Sequence, residues 1–132
     1  MSEPRSSRSR AALALLAGSH EWSTRALETV LQPAGYRVSR AVTPSDAQEQ
    51  AREARPDVII VADPLADLDG VTACELLRRS PSVAPRLPII GIASGAISRE
   101  QRLRWLRAGA WDCFGFPLDP EELVLKLSNY LR

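Results

Sequence analysis

The segment Pro56 to Gly70, PDVIIVADPLADLDG, sets the acids Asp57, Asp63, Asp67 and Asp69 around the apolar run VIIVA. A carboxylate at the end of such a run has two chemistries open to it. It can attack a phosphoryl group, or it can serve as an oxygen ligand for a hard cation such as Mg²⁺. Both need company, because an anion attacking an anionic phosphoryl requires a cation to offset repulsion, and a hard cation requires several oxygens. Asp63 precedes Pro64, whose ring biases its predecessor toward extended geometry, and the plain reading of Asp63 is a loop-entry acid. Asp67 and Asp69 stand before a helical pattern, where solvated capping accounts for them, with Asp69 as the cap.

Other chemistry-bearing side chains are sparse. His20 is the single histidine and has no second ligand nearby in sequence, which favours a residue entering a helix over a metal ligand or phosphoryl carrier. Cys74 and Cys113 sit in separate apolar segments without a pairing pattern and read as reduced core thiols. Arg99, Arg102, Arg104 and Arg107, with Trp105 and Trp111, form a basic and aromatic cluster. It is either a solvated face with one Trp tucked into the core or an interface, since Trp and Arg anchor protein contacts. No helix-turn-helix or other reader motif accompanies the arginines, so a nucleic-acid role is not expected.

These residues must be positioned by a chain of 132 residues with 45% apolar and 25% charged side chains and a net charge of +1. That length suits one domain able to bury roughly 65 to 70% of its unfolded surface, with no need of disulfide or metal. The charge gives no global field toward polyanions. The opening MSEPRSSRSR is basic and Ser-rich and reads as a flexible arm over residues 1 to 10, ahead of a domain over 11 to 132. AALALLAG is too short to span a membrane and lacks a convincing cleavage pattern, which points to a cytoplasmic protein.

Apolar runs recur at 11 to 17, 36 to 42, 58 to 62, 88 to 93 and 112 to 116, each followed by a helical pattern. Strands alternating with helices predict a parallel sheet covered on both faces, and the unbroken apolar runs at 58 and 88 fit central strands. Ala26, Leu27, Val30 and Leu31 mark a first helix that stops at Pro33. Thr43 and Pro44 open a second with a small face of Ala47, Ala51 and Ala54. Asp69-Gly70 precedes a third, Ser98 with Gln101 forms a capping box for a fourth, and Asp119-Pro120-Glu121-Glu122 starts a fifth. SPSVAPRLP, residues 80 to 88, reads as a stiff connector opposite the strand carboxyl ends. In such a sheet chemistry gathers at those carboxyl ends, here Gly18-Ser19-His20, Ala62-Asp63, Ala93-Ser94 and Phe116-Pro117.

Over residues 12 to 132 the chain resembles the receiver domains of bacterial two-component response regulators. The pieces that carry the resemblance are AGYRV, PDVIIV, LDG, LPII, AGAWDCF and FPLDPEEL, in family order and at nearly family spacing. It implies a flavodoxin-like (βα)5 fold, a doubly wound parallel sheet in a three-layer α/β/α arrangement. It also implies transfer of a phosphoryl group from a phosphohistidine to an aspartate, with an acidic pair holding Mg²⁺ and a Lys and a Thr or Ser contacting the phosphoryl oxygens. Laid on this chain, the acidic pair falls on Gly18 and Ser19, the acceptor on Ala62, and the Lys on Phe116. The Thr/Ser position falls on Ala93 counted from Pro88, or on Ser94 counted back from Ala108. The Lys-Pro bond of the family is usually cis, which implies a cis Phe116-Pro117 whose ring fills a space that normally holds charge and water.

The expectation is therefore a receiver scaffold without its phosphorylation site: a non-enzymatic, phosphorylation-independent module with no cofactor. It would act through a protein partner or a homodimer at the fourth helix and fifth strand, with a fused output domain beyond Arg132 as a further expectation. Two alternatives stay open. One is a phosphoacceptor at Asp63, the only reading that calls for Mg²⁺; alternation of strand side chains predicts that Asp63 turns away from the pocket. The other is a sensor holding a small uncharged ligand in the altered pocket.

Overall fold

A computed structural model describes residues 11 to 132, so the expected arm over residues 1 to 10 lies outside the described residues. Strands β1 (Leu13–Ala17), β2 (Arg37–Ala41), β3 (Val58–Ala62), β4 (Ile89–Ile92) and β5 (Asp112–Phe114) alternate with helices α1 (Glu21–Leu31), α2 (Pro44–Ala54), α3 (Gly70–Arg79), α4 (Arg99–Arg107) and α5 (Pro120–Tyr130). The strands form one sheet in the order β2-β1-β3-β4-β5, and every neighbouring pair is parallel. The order reverses beside β1, which places the switch point where β1 and β3 end together.

Alternation along the strands divides the core in two. Leu15, Ala17, Ile59 and Val61 face Ala47 and Ala51 of α2, Ala73, Cys74 and Leu77 of α3, and Trp105 of α4. Ala14, Leu16, Ile60 and Ala62 face Leu27 and Leu31 of α1 and Leu123 and Leu127 of α5. The central strands are buried on both sides, as their unbroken apolar sequence requires. Ala54, expected on the buried face of α2, is exposed, because the helix ends there and Arg55 turns left-handed at φ 50°. β5 stops at Phe114 rather than running to Phe116, since Gly115 packs against the Gly95 carbonyl and Ile97 of the preceding loop.

Local signals set the helix starts. Thr43 accepts from the Asp46 N–H, Asp69 from Thr72, and Asp119 from Glu121 and Glu122. Ser98 and Gln101 complete a reciprocal capping box. The proline-rich connector is held by Arg78, whose guanidinium donates to the Gly109 carbonyl at 2.8 Å and the Pro85 carbonyl at 3.1 Å.

Candidate functional site at the strand ends

Ala62 closes β3 with its methyl turned into the α1/α5 half of the core, at 2% exposure. Beside it the β1–α1 loop carries Gly18, where a Cβ would lie 3.0 Å from the Ala62 Cβ and 3.2 Å from Thr24 Cγ2. The next residue, Ser19, is committed to the backbone. Its hydroxyl donates to the Pro64 carbonyl at 3.0 Å and accepts from the Ala66 N–H at 3.1 Å, while its own N–H donates to Pro64. These bonds tie the β1–α1 loop to the β3–α3 loop.

Phe116 arrives from β5 through a cis bond to Pro117 and packs against the same half of the core, half-buried. Its ring lies 5.1 Å from that of Trp22, tilted by 53°, and its N–H donates to the Gly95 carbonyl at 2.9 Å. Trp22, in the first turn of α1, was not singled out from sequence. The only signal for it was an aromatic on the helix that faces the uncharged Phe116. Of the two candidates after β4, Ala93 continues the ladder, donating to the Phe114 carbonyl at 2.8 Å, and is buried. Ser94 is exposed and lines a cavity on the opposite side of the sheet.

Asp63 belongs to that opposite side. One step past Ala62, its carboxylate accepts from the Gly70 N–H at 2.5 Å at the start of α3, and it lines a cavity of about 140 Å³ with Asp69, Ser94, Gln101, Arg104 and Trp105. Hydrogen bonds from Thr72, the backbone N–H first, hold the Asp69 carboxyl below its ordinary range. Asp63-Pro64 is a second cis bond, where sequence suggested only an extended residue before proline. His20 is the exposed residue preceding α1, and its side chain makes no capping bond.

Gly18 and Ala62 therefore lie against each other with Ser19 next in the loop, Phe116 packs on the same half of the core, and Asp63 and Ser94 line the cavity on the other face of the sheet. Gly18, Ser19, Ala62 and Phe116 offer a hydrogen, a hydroxyl spent on backbone, a methyl and an aromatic ring. Such a set does not fit a hard divalent cation, which asks for several anionic or carbonyl oxygens.

The aromatic and basic cluster separates as well. Trp105 is a correction: it is 3% exposed and lies against Gly91 and Gly70, where a Cβ would run into its ring, so it is core and not a surface anchor. Arg99, Arg102, Arg104 and Arg107 are exposed, and Trp111, 42% exposed, stands edge-on to Tyr130 at 5.9 Å. Cys74 and Cys113 are free and buried, and burial pushes the Cys74 thiol up to about 11.

The response regulator receiver domain family matches this chain over residues 14–128, which hold the parallel five-stranded sheet in this order. The chain belongs to that family. It is 33% identical over 106 residues to the transcriptional regulatory protein PrrA of Mycobacterium leprae, covering 80% of this chain and 44% of the relative. It is 32% identical over 102 residues to the DNA-binding dual master transcriptional regulator RpaA of Synechocystis, covering 77% and 42%. The chain thus spans less than half the length of these relatives. Among solved structures, a response regulator from Chloroflexus aurantiacus superposes with a TM-score of 0.82 at 30% identity, covering 92% of this chain and 98% of that one. The receiver domain of a Pseudomonas aeruginosa sensor histidine kinase, with a magnesium ion in its active-site cleft, gives 0.77 at 27% identity, covering 92% and 98%.

Proposed function

We propose that this receiver works without phosphorylation, as a protein-interaction or dimerisation module that regulates an output domain or a partner in two-component signalling. The observation that supports this reading is the convergence of Gly18, Ala62 and Phe116 at the strand ends, with the Ala62 methyl in the apolar core and the Phe116 ring under Trp22. Phosphoryl transfer to a carboxylate depends on a cation to offset like-charge repulsion and on donors to the phosphoryl oxygens. Neither function has a side chain to perform it at this position. Asp63 does not replace Ala62, because its carboxylate caps the Gly70 N–H on the other face of the sheet.

In this reading the module is not an enzyme, uses no Mg²⁺ and acts in the cytoplasm. No helix of the described residues is long and apolar enough to cross a membrane. Contact is made through α4 and β5, where Arg99, Arg102, Arg104, Arg107 and Trp111 are exposed. An output domain or a separate partner would receive the signal; the matched segment is 44% of the length of the PrrA relative.

Intact mass after incubation with Mg²⁺ and acetyl phosphate tests the proposal, with a conventional receiver as positive control. The expected result is an unmodified chain beside a modified control. An adduct that disappears in Asp63→Ala would overturn it and install Asp63 as a phosphoacceptor.

A further inference from the structure

The cavity of about 140 Å³ on the α3 side of the sheet lies between the β3–α3 loop, the β4–α4 loop and α4. Its lining is layered by depth. Trp105, 3% exposed, and the half-buried Val71 give it an apolar inner surface, while Ser94, Gln101 and Arg104 are exposed around it. It also carries charge of both signs, with the carboxylates of Asp63 and Asp69 on one side and the Arg104 guanidinium, on α4, on the other. No ion pair among the described residues engages any of these three. Opposite charges thus line one small space without meeting. They still act on each other, since the Asp69 carboxyl is held low by its Thr72 bonds first and by the Arg104 charge in addition.

Each polar group has capacity to spare. Asp63 gives one carboxylate oxygen to the Gly70 N–H and leaves the other to the cavity. Gln101 accepts from the Ser98 N–H through its carbonyl oxygen, which leaves its amide hydrogens as donors. The N–H groups of Gly70 and Thr72 are already taken by Asp63 and Asp69, so the start of α3 is not itself the attraction.

This lining selects among ligands. A divalent cation asks for several oxygens and would meet the Arg104 charge. A simple anion would face two carboxylates, and an uncharged molecule would strip water from Asp63 and Arg104 without replacing it. The volume falls below the ~300–1,000 Å³ of clefts that take drug-sized molecules, which excludes a nucleotide. A compact molecule with a cation at one end, an anion at the other and a short aliphatic part between matches every wall. We infer that this cavity binds a small α-amino acid, its ammonium on Asp63, its carboxylate on Arg104 and Gln101, and its side chain against Trp105 and Val71.

Glycine, L-alanine and L-serine are the probes, titrated into the isotope-labelled full chain and read by NMR chemical shifts. Expected are saturable shifts at the Gly70, Ser94 and Gly95 amides and the Trp105 indole, with a millimolar or tighter Kd. Arg104→Gln and Asp63→Asn should each weaken binding by about tenfold or more, the asparagine keeping an acceptor for the Gly70 N–H. Arg107→Gln, on the same helix and outside the cavity, should leave it unchanged, with circular dichroism showing each variant folded. Propionate lacks the ammonium and ethylamine lacks the carboxylate, so each should bind at least about tenfold more weakly than L-alanine.

Absence of saturable shifts by about 10 mM amino acid overturns the inference, as do shifts that saturate only elsewhere on the chain. Undiminished binding in either cavity variant overturns it too. Propionate or ethylamine binding as well as L-alanine makes the cavity a site for a single charge and ends the amino-acid assignment. The titration contains neither Mg²⁺ nor phosphodonor, so its failure and a phosphate adduct in the mass experiment are separate outcomes.

Discussion

Ala62 is a methyl in a wall of methyls, and its surroundings define what a carboxylate would meet there. Ala62→Asp would bury an acid at a position 2% exposed, in the cluster formed with Leu16, Ile60, Ile92 and Phe114. Desolvation raises the pKa of such a group, so its cost grows with pH. We expect a loss on the order of 3 kcal/mol at neutral pH, smaller near about pH 4, in urea denaturation, and still no phosphate adduct. Gly91 poses the opposite problem, since any Cβ meets the Trp105 ring. Gly91→Ala should cost about 1–3 kcal/mol, and Trp105→Leu in the same chain should return part of it, so a double-mutant cycle reads a non-zero coupling. Cys74, with its thiol pushed from 9.0 to about 11 by burial, should react slowly with a disulfide reagent at neutral pH and rapidly once the chain is unfolded. Because its folded pKa is the higher one, the stability it lends is complete below pH 9.0 and is lost as pH rises through about 11.

Four of the five helices begin where their own sequences dictate, and that is why their starts were legible. Thr43, Asp69, Ser98 and Asp119 each satisfy N–H groups within three residues, so nothing distant is needed to find them. Asp69→Ala should cost about 1 kcal/mol in chemical denaturation. The inward turn of Trp105 was not legible, because it depends on glycines at 70 and 91 leaving room in α3 and β4. The seam between β5 and α5 is likewise tertiary. The Tyr130 hydroxyl donates to Asp112 at 2.7 Å, and Lys126 lies 3.4 Å from the same carboxylate and 5.2 Å from the Phe114 ring centroid. Burial, then the bond to Asp112, raises Tyr130 from 10.0 to about 12. The seam's contribution is therefore whole below pH 10.0 and lost toward about 12. Tyr130→Phe should flatten the fall in melting temperature across that window.

At the scale of the molecule, the parallel direction of five strands follows from apolar runs that alternate with helical patterns, and every neighbouring pair in the sheet is parallel. That Gly18, Ala62 and Phe116 fall at the ends of strands or in the loops just past them was readable from anchors such as Asp57, Gly70 and Pro117, because strand ends fall at fixed distances from them. The contacts made there were not, since Ser19 reaches across to Pro64 and Ala66, and Trp22 to Phe116, between residues far apart in the chain. The three tryptophans occupy three environments: Trp22 is 57% exposed over Phe116, Trp111 is 42% exposed beside Tyr130, and Trp105 is 3% exposed against glycine. The chain thereby carries its own set of optical reporters. Acrylamide should quench two red-shifted emitters and spare one blue-shifted emitter, so that loosening of the strand ends, occupation of the edge past α4, and collapse of the core would each change a different part of one emission spectrum.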